Sequence, residues 1–480
     1  MKILLIQPDN KKIKYYGYQD IGSHLQPLGL AYLASALEKA GHEVSIIDMT
    51  IQNFSSGRIA KLVKSCNFEL VGLNVTTIMF QTTENLARII KNLNPNVLIL
   101  IGGPHVSSCL YDSINNKVFD FAIFGEGEET IVELADFLEN KGKRYIKKKS
   151  LKEFSKINGL AFRFNDEIIV NKPRKFIQNI DKLPFPARHL LPHPSNYHLN
   201  PDRSYDEPIG TISTSRGCPH RCIFCDKGVF GKKWRGRSAK NMLEEIKFLI
   251  KKYGVREIDF EEDLFNLSKK RIYRFCQLIE QEKINIKWQC LIKVNGIDEK
   301  LIKTMASSGC WLISIGIESG SQRIIDFLNK DLNISKVKYI TRLADKHGIK
   351  IRGLFMIGNP TETHKDIKAT LDLILSLPLH TIIVSIINPY PNTKLWNIAN
   401  KYGRFKKELT LNEFPKKLNF VAYGFTSEEL VKLLKTFYIN FFFRPKQIFR
   451  YVKWISSLKP RLAMRTLKYY GIGAIKVLKK

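Results

Sequence analysis

Over the first 145 residues the apolar positions switch between two periods. Strand-length apolar runs occur at Ile3 to Ile6, Val44 to Ile47, Leu70 to Asn74, Val97 to Ile101 and Phe119 to Phe124, and the stretches between them, such as Leu28 to Leu37, have helical spacing. This alternation predicts a Rossmann-like α/β unit over 1–145, a parallel sheet wound with helices on both faces. Gly102-Gly103-Pro104 and Gly125-Glu126-Gly127 each directly follow an apolar run. They therefore fall at strand carboxyl ends, where open α/β sheets bind ligands. Residues 146–208 break the pattern. They open on Lys147-Lys148-Lys149, carry Pro184, Pro186, Pro192, Pro194, Pro201 and Pro208, and hold one hairpin-like patch from Leu160 to Val170, which predicts a linker.

A second alternating series begins at Ile209. Strand candidates at Ile209 to Ser213, Glu257 to Phe260, Lys287 to Leu291, Leu312 to Ile315, Ile351 to Met356 and Thr381 to Ile386 are separated by amphipathic helical stretches. Six such units without a seventh or eighth predict a partial (β/α)6 barrel of TIM type over 209–400, with its chemistry at the strand carboxyl ends. Residues 401–480 read as helical and basic.

Composition narrows the class. In 480 residues, 44% are hydrophobic and 11% aromatic, enough to bury real cores, which excludes global disorder. No apolar run reaches the roughly 18 to 20 residues of a spanning helix, and Ile3 to Ile6 behind a single Lys2 is too short for a signal peptide. The expected setting is a reducing cytoplasm. The 77 Lys and Arg against 45 Asp and Glu leave +32, and the excess is uneven: no acid follows Glu429, while thirteen cations lie from Lys432 to Lys480. Phe441, Phe442, Phe443, Phe449, Tyr451 and Trp454 are interleaved with those cations. Three readings fit this tail: a helical cap on the barrel with solvated lysines, a peripheral membrane face, or a nucleic-acid surface.

Five of the eight cysteines are scattered without framework spacing, so disulfide stapling is not expected. The other three are clustered. Cys218-Pro219-His220-Arg221-Cys222-Ile223-Phe224-Cys225 places thiols at i, i+4 and i+7 in the loop after the first barrel strand. Soft thiolates select zinc, copper(I) or iron–sulfur, and three of them leave one position for a non-protein ligand. The alternative is a structural zinc site closed by His220 or a distant residue.

The CxxxCxxC spacing, Phe224 before its last cysteine, and its place after strand one resemble radical S-adenosylmethionine enzymes. That resemblance implies a [4Fe-4S] cluster on Cys218, Cys222 and Cys225, with S-adenosyl-L-methionine chelating the fourth iron beside Phe224. It implies further cofactor contacts at Glu262 and Asp263 after the second strand, at Glu318 and Ser319 after the fourth, and at Gly358 after the fifth. A solvated helix end is the plainer reading of Glu262 and Asp263. In the first unit, Leu25-Gln26-Pro27-Leu28-Gly29, Gly41-His42-Glu43-Val44, Gly102-Gly103-Pro104-His105 and Gly125-Glu126-Gly127-Glu128 look like the cobalamin-binding domain of the cobalamin-dependent subgroup. The linker phrase Asp181-Lys182-Leu183-Pro184-Phe185-Pro186 extends the likeness to about residue 400. Backbone at Thr76, Thr77, Gly102, Gly103, Gly125 and Gly127 is implied to approach the cobalamin nucleotide tail. Two departures stand out. No Asp-x-His-x-x-Gly motif supplies a lower axial histidine, so His24, His42 and His105 are expected to be packed residues, and Lys293 occupies a position where relatives often carry arginine.

The resemblance implies a radical enzyme in which reductive cleavage of S-adenosylmethionine gives a carbon radical and cobalamin supplies a methyl group. The expected activity is methylation of an unactivated carbon in a hydrophobic metabolite of lipid, isoprenoid or tetrapyrrole type, with a flavodoxin or ferredoxin as electron donor. Oxidative ring formation on such a substrate is the alternative. A nucleic-acid-modifying methylthiotransferase is disfavoured, because it would carry three cysteines in the first unit and only Cys66 and Cys109 occur there. A non-catalytic cobalamin or light sensor is disfavoured by the cysteine trio.

Overall fold

The computed structural model describes residues 1–9, 14–15, 18–19, 23–141, 151–164, 167–405 and 418–478. The Lys147-Lys148-Lys149 run and the terminal Lys479 and Lys480 lie outside these.

The first sheet contains β1 (Lys2–Gln7), β2 (Glu43–Asp48), β3 (Leu70–Asn74), β4 (Leu98–Gly102), β5 (Phe121–Ile123), β6 (Leu160–Phe164) and β7 (Glu167–Val170) in the order β2-β1-β3-β4-β5-β6-β7. The first five strands are parallel, and the chain reverses direction across the sheet between β1 and β3. The central strand explains its own sequence. Leu4 and Ile6 pack into the core on one face while Ile3 and Leu5 pack into the core on the other, so helices on both sides demand an unbroken apolar run. The predicted linker is not a bare tether. Its hairpin β6–β7 extends this sheet, with β6 antiparallel to β5 through Phe121↔Phe162 and Ile123↔Leu160.

The second sheet is a six-stranded parallel open barrel in sequential order: β8 (Ile209–Ile212), β9 (Glu257–Phe260), β10 (Lys287–Ile292), β11 (Cys310–Glu318), β12 (Lys350–Ile357) and β13 (Thr381–Ile386). Alternate residues face the surrounding helices. Phe260, Trp288, Ile313, Ile315, Ile351, Phe355, Ile382 and Val384 belong to that outer core. Their neighbours Asp259, Gln289, Leu291, Ser314, Leu354, Met356 and Ile383 therefore face the lumen, as the period of two requires. Arg203 reaches Asp259 at 3.0 Å across the amino-terminal end of the lumen.

After residue 400 the described chain forms three helices, Ser427–Phe442, Pro445–Ile455 and Pro460–Leu478. The first buries Leu430, Leu434, Phe437 and Phe441 against the barrel. Its Tyr438 hydroxyl donates to the Val384 carbonyl at 3.4 Å and accepts from the Val384 N–H at 3.2 Å. One side chain thus satisfies both backbone groups of Val384 at the free edge of the last strand. Of the three readings of the tail, the cap is what the packing displays; the cap still leaves an outer face.

Candidate active site between the two sheets

The two sheets meet through buried arginines. Arg216, two residues ahead of Cys218, donates from Nη1 to Glu126 at 2.9 Å and pairs closely with Glu128. Arg235 donates to the same Glu126 at 2.8 Å and to the Phe230 carbonyl. A second junction has Arg188 donating to Gln26 at 2.6 Å, to the Thr211 carbonyl at 2.6 Å and to Glu245 at 2.7 Å, with Arg237 on the other oxygen of Glu245. All these guanidinium and carboxylate groups are buried, so each charge has lost water and holds a partner in its place. The Gly-Glu-Gly phrase expected to approach a cofactor therefore also fastens the first sheet to the cysteine loop.

That loop begins at Gly217, whose φ of +82° and 2.4 Å distance from a built Cβ to the Lys233 carbonyl exclude any side chain. Ile223 is pinned on both sides, its N–H to the Leu328 carbonyl at 3.1 Å and its own carbonyl to the Leu395 N–H at 2.8 Å. Lys227 closes the turn by donating to the carbonyls of Cys218 and His220. Cys218 and Cys222 are half-buried and Cys225 is exposed. Partial burial raises the Cys222 thiol above its ordinary range, and Lys330 and Lys293 work against that rise.

A mononuclear site does not form here. Among the described residues the one trio of metal-binding groups within 4.8 Å of one another is His42, Asp136 and Glu139, far along the chain from the cysteines. His220, the fourth ligand of the zinc alternative, has Nδ1 3.1 Å from the Lys293 ammonium, and burial followed by Lys293 holds its pKa down. Cys276, Cys290 and Cys310 are sealed in the helix-side core of the barrel. Three sulfurs held apart on one loop suit the separate irons of a cluster, and Cys109, on the facing wall of the first sheet, has its thiol pushed up to about 11 by burial.

Between this loop and the carboxyl edge of the first sheet lies a cavity of about 450 Å³. Thr76, Thr77, Pro104 and Ser108 line it from the first sheet, and Asp226, Lys227, Phe230, Asp263 and Tyr390 from the barrel side. The Thr76 hydroxyl is buried without a hydrogen-bond partner, the state of a polar group set to meet a ligand. The cavity stands at the carboxyl ends of β3 and β4, the edge at which open α/β sheets bind ligands.

The expected cofactor residues separate accordingly. Thr76, Thr77 and Asp263 line the cavity. Glu262 is turned away, its carboxylate sealed beneath the hydroxyls of Thr214 at 2.7 Å and Ser215, with Arg271 at 3.8 Å. Glu318 pairs with Lys330, whose ammonium stands 5.8 Å from the Phe224 ring, so both lie against the cysteine loop. Its backbone is left-handed at φ +68°, a conformation a non-glycine residue keeps only where its surroundings enforce it. Ser319 is spent internally, 3.2 Å from the Thr370 hydroxyl. Gly358 abuts Leu430 of the tail and Ile386.

The glycines of the first sheet approach their own chain. A Cβ at Gly103 would fall 2.4 Å from Asn74 Oδ1 and 2.9 Å from the Val75 carbonyl. Gly102 and Gly127 abut Ile123, and the Gly125 N–H donates to Ser107 at 3.1 Å. His24 bridges to His198, His42 faces Asp136 at 3.2 Å, and His105 packs 4.8 Å from Phe80, so none of the three lines the cavity. Burial lowers the His105 pKa to about 4. Lys293 donates to Asp331 at 2.7 Å.

Sequence reasoning missed Asp226 and Lys227. Asp226 accepts from Ser108 of the first sheet, from the Gly228 N–H at 3.1 Å and from Asn392 at 3.2 Å, joining three parts of the chain at the cavity wall. Their position directly after Cys225 is the signal that was available.

Fold and site together define a two-sheet enzyme in which a three-cysteine loop faces the ligand edge of a Rossmann-like sheet across one cavity. Residues 19–135 match the B12 binding domain model and residues 212–374 the Radical SAM superfamily model. An uncharacterized methyltransferase of Pyrococcus horikoshii is 36% identical over 94% of both chains. An anaerobic magnesium-protoporphyrin IX monomethyl ester cyclase of Cereibacter sphaeroides is 24% identical over 98% of this chain and 76% of its own. The cobalamin-dependent S-adenosylmethionine radical enzyme OxsB, solved with aqua-cobalamin and S-adenosylmethionine bound, covers 99% of this chain and 71% of its own at TM-score 0.75 and 16% identity. The chain belongs to the cobalamin-dependent radical S-adenosylmethionine family of methyltransferases and anaerobic cyclases. Its cofactors are a [4Fe-4S] cluster, S-adenosylmethionine and cobalamin.

Proposed function

We propose that the chain methylates an unactivated carbon of a hydrophobic metabolite. The observation carrying this reading is the lumen wall. Leu291, Leu354, Met356 and Ile383 face inward yet are only half-buried, so apolar surface stays open in the barrel below the cysteine loop. The Cereibacter relative's named substrate, a porphyrin ester, has this character.

Cys218, Cys222 and Cys225 hold the cluster in this reading, Glu318 and Phe224 stand beside it, and Thr76, Thr77 and Asp263 face the cobalamin side. When bound, the cofactors supply radical formation and methyl transfer. The chain's own part is to orient them across the Asp226 junction and to exclude water. Arg221, Lys232 and Lys233 are exposed around the loop and suit an acidic one-electron carrier of flavodoxin or ferredoxin type. The setting is a reducing cytoplasm with peripheral contact to a membrane.

Anaerobic incubation of holoprotein with a cell lipid extract and methyl-deuterated S-adenosylmethionine tests the proposal. A labelled methyl group on an extracted compound supports it. Loss of hydrogen without label identifies ring formation instead, and labelled product confined to an aqueous metabolite extract overturns the hydrophobic substrate.

A further inference from the structure

The tail has two faces, and its inner face is fully used. Gln447 and Tyr451 both donate to the His380 carbonyl, at 2.8 and 2.6 Å, and Trp454 packs edge-on against the His380 ring at 4.6 Å. Lys459 pairs with Asp206 at 2.6 Å, Arg465 with Glu207, and Arg450 with Asp345 at 3.1 Å. These contacts fix the helices Pro445–Ile455 and Pro460–Leu478 on the amino-terminal end of the barrel.

The outer face is apolar where a solvated cap would be polar. Ile448 is 48% exposed, Phe449 71%, Val452 62%, Met464 69% and Leu467 58%. Seven of the fourteen large hydrophobic residues exposed in the described chain lie between Ile439 and Leu467, so this is a patch and not the ordinary scatter. Around it Lys446, Lys453, Arg461 and Lys468 are exposed and have no acidic partner among the described residues. The cations also crowd one another. Behind burial, Arg450 holds the Arg444 guanidinium pKa down, and at the Lys350 ammonium Arg450 and Lys453 work against the pull of Asp345.

We propose that this face docks on an anionic lipid bilayer, lying flat in the headgroup region. Aliphatic side chains ringed by cations are the composition of an interfacial helix pair. No helix of the described residues is long and apolar enough to cross a membrane. A second copy of this chain would bring the same sign of charge to the contact. A nucleic acid would find cations and the rings of Phe443 and Phe449, but the larger part of the face, Ile448, Val452, Met464 and Leu467, has no π face to stack on.

The test is co-sedimentation of the full chain with vesicles of phosphatidylcholine, alone or mixed with phosphatidylglycerol, at about 0.05 and about 0.5 M salt, where the screening length falls from above to below 10 Å. Binding should require phosphatidylglycerol and weaken with salt. Lys446→Gln, Lys453→Gln, Arg461→Gln and Lys468→Gln should each lower partitioning by up to about fivefold, the equivalent of about 1 kcal/mol. Phe449→Ser should lower both low-salt and high-salt binding by about tenfold, because apolar insertion is not screened. All five positions are exposed, so iron content and melting temperature should match the parent. Equal binding to both vesicles overturns the proposal. So does unchanged vesicle binding by the fourfold Gln variant, or a dimer that Phe449→Ser dissociates in the absence of lipid.

Discussion

Replacing Glu126 by glutamine tests the interdomain clamp at its most connected atom pair. The Glu126 side chain is 2% exposed, and its partners Arg216 and Arg235 are 7% and 3% exposed. Its oxygens accept from both guanidinium groups and, at 2.7 Å, from the Ile177 N–H. An amide of the same shape removes the charge and turns an NH2 toward at least one of these donors. Truncating one side of a buried ion pair costs about 3–5 kcal/mol. Arg216 keeps Glu128 and Arg235 keeps the Ile177 and Phe230 carbonyls, which places the expected loss near the lower end. At 2–4 °C per kcal/mol for domains of this size, about 3 kcal/mol lowers the melting temperature by roughly 6–12 °C. Calorimetry on anaerobically reconstituted protein reads the shift, and iron per chain should stay constant because no cysteine is touched. The double variant Glu126→Gln/Arg235→Gln should cost less than the sum of the single variants by about 1–3 kcal/mol. A shift below about 2 °C in Glu126→Gln, or strict additivity, would refute a desolvated clamp.

Cys222→Ala should lose the cluster, measured as iron, sulfide and visible absorption, while Cys109→Ala in the cavity wall of the first sheet should keep it. Electron paramagnetic resonance of the cobalt(II) form should show no imidazole nitrogen splitting, since none of His24, His42 and His105 lines the cavity; such a splitting would contradict that packing. Burial raises the Glu362 carboxyl from 4.5 to about 7. The folded state therefore holds a proton that the unfolded chain releases, and stability complete below about pH 4.5 is lost as pH rises through 7, by about 3 kcal/mol. Glu362→Gln should flatten that decline in urea titrations between about pH 5 and 8, and an unchanged slope would assign it elsewhere.

The barrel was legible because each strand keeps period two between helical stretches, and Ile351 to Met356 anticipates the strand Lys350–Ile357 almost to the residue. The cysteine loop was legible because its three thiols are local in sequence. What the chain order hides is partnership at a distance. Glu126 reads as part of a turn beside a cofactor until Arg216, 90 residues later, is seen on its carboxylate. The hairpin β6–β7 has a strand pattern, but nothing in that pattern says it pairs with β5. Glu262 and Asp263 are neighbours of one charge, and only the direction of the backbone at the end of β9 decides that Asp263 reaches the cavity while Glu262 is sealed beneath Thr214. The tail's composition left a cap, a membrane face and a nucleic-acid surface open, and which aromatics face inward followed only from packing, with Tyr451 and Trp454 spent on His380 and Phe449 left outside.

Arg188 has a consequence for how this chain can be handled in pieces. Its guanidinium ties Gln26 of the first sheet, the Thr211 carbonyl of the first barrel strand and Glu245 of the following helix into one sealed knot. In sequence the two halves read as separable modules. A fragment ending before Ile209 would instead carry Arg188 without its carboxylate, and one beginning there would bury Glu245 with half its compensation. Each severed half would expose charge shaped for the other and should be recovered misfolded, whereas co-expression of the two pieces should restore a soluble, melting-competent complex. The borders that separate the two halves in sequence are thus not borders of stability.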